Sequence, residues 1–144
     1  MRNAVESLHA SYIGFHGYAE EWLADNPDLT RELANRCGYW YFPESLSVPS
    51  TLSAGENEVR ITWLNKGVAP AYEPFLVTFR LLRPTDGGAV DLGTLDSGNL
   101  GWRPDEPVER AYRVVVPPSV EAGEHLLQLR LSLHGRTVAI GLEA

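Results

Sequence analysis

The chain has 144 residues, and 12 Lys and Arg against 19 Asp and Glu leave a net charge of −7 at pH 7. Hydrophobic residues make up 44%, ordinary for one globular domain and too many for a disordered chain. The acidic balance gives no footprint for nucleic acid, no apolar run is long enough for a membrane span, and Met1 to Leu8 lack the pattern of a secretory signal.

In chain order, Ser11-Tyr12-Ile13-Gly14-Phe15 reads as a short buried strand or a loop. Tyr18, Trp22 and Leu23 follow at helical spacing, until Asn26-Pro27 interrupts them. Pro27 can open a new helix, so a second one is expected over about Asp28 to Arg36, with Asn26 as N-cap and Leu29 and Leu33 inward. Gly38 stands where a left-handed C-terminal residue is wanted.

Beyond Pro43 the period changes to two. Val59, Ile61 and Trp63 alternate with Arg60, Thr62 and Leu64, and Phe75, Val77, Phe79 and Leu81 with Leu76, Thr78, Arg80 and Leu82. Tyr112, Val114 and Val116 form a third set and Leu127 to Leu133 a fourth, while Val138, Ile140 and Leu142 close the chain. Gly-, Asn- and Asp-rich turns separate the runs. The expected fold is mainly β: an antiparallel immunoglobulin-like β-sandwich of about seven strands, preceded by a short helical segment. Residues 1–38 form the helical segment and 39–144 the sandwich.

Three groups of side chains are candidates for chemistry. In an extended Tyr39-Trp40-Tyr41-Phe42, alternate rings face opposite ways. The strand then either joins two cores, docking the helices on the sandwich, or offers Trp40 as a stacking platform for a sugar ring. Trp63 shares the phase of Val59 and Ile61 and belongs to the core, whereas Trp102 follows a Gly-rich loop whose context allows exposure. Trp102 is therefore the leading ligand-binding residue, with Trp40 beside it. His16 is the third, placed after an apolar run between Gly14 and Gly17.

Neither catalytic nor metal-binding residues are expected, and no cofactor. Glu20 and Glu21 are adjacent and diverge by about 100° on a helix, so they do not make a paired acid and base. His9 and His16, or His125 and His134, lack metal-ligand spacing. Cys37, the one cysteine, excludes an internal disulfide and reads as a small buried residue.

Three stretches carry a resemblance: Tyr12-Ile-Gly-Phe-His-Gly-Tyr18 with Glu20-Glu-Trp-Leu23, Leu33-Ala-Asn-Arg-Cys-Gly-Tyr-Trp-Tyr-Phe42, and Trp63-Leu-Asn-Lys-Gly-Val-Ala-Pro-Ala-Tyr72. With the terminal Ile140-Gly-Leu-Glu143 they resemble the C-terminal region of bacterial glycoside-hydrolase-like proteins, where a (β/α)-barrel precedes an immunoglobulin-like sandwich of unassigned role. The resemblance implies that residues 10 to 37 are the last piece of a barrel, that His16 lies near a barrel strand end, and that the sandwich is an accessory domain. The implied partners are the barrel and a carbohydrate, with nucleic acid and membrane excluded. The alternatives are a carbohydrate-binding module and a protein-interaction domain. A barrel remnant without its neighbours would leave Tyr12, Ile13, Phe15, Tyr18 and Trp22 uncovered, so a homodimer through residues 10–40 is expected. In the Asn65 to Tyr72 stretch, Asn65 should hold a turn by side-chain bonds to the backbone, and Tyr72 should pack over the sandwich end.

Overall fold

The computed structural model describes residues 1–14 and 16–141. Among these residues three short helices, α1 (Arg2–Ser7), α2 (Ala19–Asp25) and α3 (Pro27–Arg36), precede seven strands. These are β1 (Tyr41–Ser47), β2 (Gly55–Asn65), β3 (Leu76–Leu82), β4 (Ala89–Asp96), β5 (Val108–Val116), β6 (Leu126–Leu133) and β7 (Arg136–Val138). They form two antiparallel sheets, ordered β1-β2-β5 and β4-β3-β6-β7.

The period-two residues meet between the sheets. Val59, Ile61, Trp63, Tyr112 and Val114 from one sheet pack against Phe75, Val77, Phe79, Leu81 and Leu131 from the other. Register fixes this: Val59 lies opposite Tyr112 and Trp63 opposite Val108, so a one-residue slip would turn these side chains to water. Pro43 stands on the edge strand β1, where its missing N–H breaks no ladder.

Strand β4 was not legible in the hydrophobic pattern. Val90 and Leu92 keep phase, but Leu95 is one residue late, because the register shifts where Gly93 opposes Phe79 and φ reaches +141° at Gly93. The closing strand is shorter than expected. After Val138 the chain leaves β6 and crosses to the other sheet, where the Gly141 N–H donates to the Tyr41 carbonyl oxygen at 2.9 Å. Leu142 lies outside the described residues.

In the helical segment, α3 begins at Pro27 and ends before Gly38, whose φ is +79°. Asn26 occupies the N-cap position, but its amide donates backwards to the Trp22 carbonyl oxygen instead of capping α3. Helix α1, which lies within the expected helical segment but was not delimited there, packs on α3 around the buried Val5 and Leu33. Arg2 forks onto Glu32 through two 2.7 Å bonds, and Arg36 pairs with Glu6. The Arg2 bond holds the Glu32 carboxyl below its ordinary range. All four of these side chains are exposed or half-exposed, so the pairs orient α1 more than they stabilise it.

Candidate functional site

The helical segment meets the sandwich at one knuckle of backbone centred on Asn65, the last residue of β2. Asn65 is buried, and its side chain serves three segments. Its Oδ1 accepts the Trp40 and Gly67 N–H groups, both at 3.0 Å. Its Nδ2 donates to the carbonyl oxygens of Ala69 at 2.9 Å and Trp102 at 3.4 Å. The expected turn-holding role of Asn65 is therefore present, and it extends to the strand before it and the loop behind it.

Around that residue the contacts are main-chain ones, with one from the His9 side chain. Lys66 N–H donates to the Trp40 carbonyl, Ala69 N–H to the Gly38 carbonyl, and Gly38 N–H to the Ala10 carbonyl, at 2.8, 2.9 and 2.9 Å. His9 Nδ1 lies 2.7 Å from the Val68 carbonyl oxygen; a carbonyl only accepts, so this nitrogen carries the proton. Gly67 is obligatory. A Cβ there would overlap the Gly38 carbonyl oxygen and come within 2.7 Å of Tyr39 Cα and 2.8 Å of Trp40 N.

This corrects the expected docking through the side chains of Tyr39 to Phe42. Rings do alternate: Tyr39 stacks on Tyr41 at 5.3 Å, and Trp40 meets Phe42 at 4.9 Å. Tyr41 and Phe42 are buried, the first in the sandwich core and the second on the outer face of its sheet, opposite Leu64. Trp40, however, is 46% exposed, because the helices approach over the 66–69 loop and leave its outer side bare. Lys66 Nζ sits over the Phe42 ring, 4.4 Å from its centroid. Trp40→Ala should thus cost only about 1 kcal/mol, well below a core tryptophan, which chemical denaturation will measure.

Trp102 requires the opposite correction. It is 4% exposed and lies in the core, stacked on Trp63 at 5.6 Å and edge-on to Tyr41 at 5.2 Å. The glycines read as a sign of exposure do the reverse. Gly98 and Gly101 take φ of +74° and +85°, the Trp102 N–H closes a turn onto the Asn99 carbonyl, and the loop folds back between the sheets. Tyr72 was expected over the sandwich end but points to solvent. Its neighbour Ala71 takes the inward place, with its N–H 3.3 Å from the Tyr41 hydroxyl. His16 is exposed in the loop before α2. Of the three sequence candidates, Trp40 and His16 stand at the surface, and Asn65 links the backbones of Trp40 and Trp102.

Two buried polar groups were missed. Asn99 read as a turn residue, yet its Oδ1 accepts from the Phe75 N–H and the Ser97 hydroxyl while its Nδ2 donates to the Glu73 carbonyl. It ties the β4–β5 loop to the start of β3. The Tyr112 hydroxyl donates to the Ser97 carbonyl and accepts from Trp63 Nε1, both at 2.9 Å. Burial pushes the Tyr112 phenol up to about 12 from 10.0. The folded state then holds this proton where the unfolded chain has lost it. Its contribution to stability is complete below pH 10 and is lost as pH rises towards about 12. Alkaline melting should show this slope in the chain and a shallower one in Tyr112→Phe, where the Tyr41 phenol, also raised by burial, still contributes; the acid-side stability of that variant should fall by about 1–3 kcal/mol for the two orphaned partners.

Among the described residues no three His, Cys, Asp or Glu side chains stand together as a metal site. Among the described residues no helix is long and apolar enough to cross a membrane. Burial raises the Cys37 thiol, the opposite of what activates a nucleophile. At the end of the sandwich away from the knuckle, a cleft of about 660 Å³ opens between the β1–β2 and β5–β6 loops, lined by Val48, Leu52, Val120, Glu121 and His125 among others. Comparison with protein-family models, curated proteins and solved structures gave no match.

Proposed function

We propose that this chain is a non-catalytic accessory β-sandwich of a carbohydrate-active, glycoside-hydrolase-like protein, which packs against and orients the barrel. One observation carries the packing role. The helical segment is fastened to the sandwich by its backbone, while Tyr12 and Tyr18 are 82% and 80% exposed and Leu8 and Leu23 are also exposed. A segment held this firmly with large side chains outward is built to meet another surface. The carbohydrate context comes from the residue resemblance alone. The immunoglobulin-like reading is supported by the three-plus-four antiparallel sheets, with the chain crossing from one sheet to the other at the β2–β3, β4–β5 and β5–β6 connections.

The half-exposed Trp40 favours a second reading, a carbohydrate-binding module, since its outer side is open to a sugar face. One experiment separates the two. Purified chain is run through affinity gels containing soluble polysaccharides and assayed on chromogenic glycosides. The packing role predicts neither retardation nor turnover. Retardation lost in Trp40→Ala would install the binding module, and turnover lost on replacing one carboxylate would install an enzyme.

A further inference from the structure

The two open sides of the sandwich are finished differently. On the β4–β5 side, Arg110 lies opposite Ile61 in the register, and its guanidinium packs against Gly98, so that a Cβ there would come within 2.5 Å of it. An inward-facing charge and the Gly93 irregularity blunt that side against further pairing. On the β1–β6 side only β1 is blunted, by Pro43 and the register shift between Pro43 and Ser45, whereas β6 runs without a shift through Leu126 to Arg130. Strand β7 pairs only with Leu131 to Leu133, so among the described residues no strand covers the other side of Leu126 to Arg130. Facing it, β1 is paired with β2 and, among the described residues, takes one further backbone bond at its start, from the Gly141 N–H to the Tyr41 carbonyl oxygen. Between these two edges opens an apolar cleft of about 410 Å³, lined by Leu127 and Leu129 of β6, Pro43 and Leu46 of β1, and Phe79 and Ile140.

We propose that this edge is a strand-addition site, which binds an extended segment of another protein chain with apolar residues at alternate positions and carboxylates between them. The unpaired ladder selects extended backbone, because only a strand satisfies its N–H and C=O groups in series. The cleft selects the apolar side chains, which enter beside Leu127 and Leu129 with the period of two. The charge follows from Arg130. It is exposed and shares the outer face with Gln128, and no described carboxylate pairs with it, although the chain as a whole is acidic. An added strand places its intervening side chains beside Arg130, so an acidic residue there is favoured and a basic one is repelled.

The test uses a fluorescent, end-blocked heptapeptide of alternating valine and glutamate, its lysine counterpart, and the intact chain carrying Tyr12→Ser and Tyr18→Ser to remove association through the helices. The glutamate peptide should bind saturably and slow amide exchange at Leu126 to Arg130. The lysine peptide should bind less well, and Arg130→Glu should reverse the preference, each by roughly fivefold. Arg130 is exposed, so this variant folds. Absence of saturable binding up to millimolar peptide would overturn the proposal, as would binding that leaves exchange at Leu126 to Arg130 unchanged or equal binding of the two peptides. Self-association of this double variant that the glutamate peptide displaces would make the occupant a second copy and overturn the assignment to another chain.

Discussion

Trp102→Ala is expected to remove about 3–5 kcal/mol of stability, the range for truncating a buried tryptophan. The ring lies between Trp63 and Tyr41, so its loss opens a cavity at the centre of the aromatic core. Loops stabilised by Gly98, Asn99 and Gly101 would lose the side chain they fold over. A urea midpoint left where it was would place the ring at the surface and restore it as a ligand-binding residue.

Asn65→Ala is the second large effect, expected at about 2–4 kcal/mol, since buried polar groups left without partners cost about 1–3 kcal/mol each. Two N–H groups and the Ala69 carbonyl lose their bonds together. Asp serves as the comparison: it keeps acceptors for Trp40 and Gly67 but loses the donor to Ala69 and buries a charge. Amide exchange should show where the damage falls. Residues 36–40 and 66–69 should open first in Asn65→Ala and also in Gly67→Ala, with the sandwich core opening later. Uniform loss of protection would show that the knuckle is not a separate fastening.

The strands on which period two runs unbroken were legible: β2, β3, β5 and β6 turn towards the core the side chains that alternation marked, although on β6 Leu127, Leu129 and Leu133 are only half-buried. Helix α3 was legible too, because Pro27 and Gly38 fix its ends by local geometry. Where a bulge breaks phase at Gly93, or a strand stops after three residues as β7 does, periodicity carries no signal. The fate of the tryptophans was illegible for a different reason. Glycine permits a loop to lie open or to fold back, and only the partners of Trp102 in distant strands decide between them. Asn65 was found in part, since a side chain that holds a turn is a local feature, whereas its bonds to Trp40 and Trp102 depend on segments 25 and 37 residues away.

The central claim, that the helical segment presents a packing surface, is tested most directly by sedimentation of the intact chain from micromolar concentration upwards. With Tyr12 and Tyr18 outward and no barrel to cover them, a second copy should take the place. Mass should rise above 15.9 kDa with concentration and return to it in the Tyr12→Ser, Tyr18→Ser variant at unchanged thermal stability. A single 15.9 kDa species at every concentration would contradict the account.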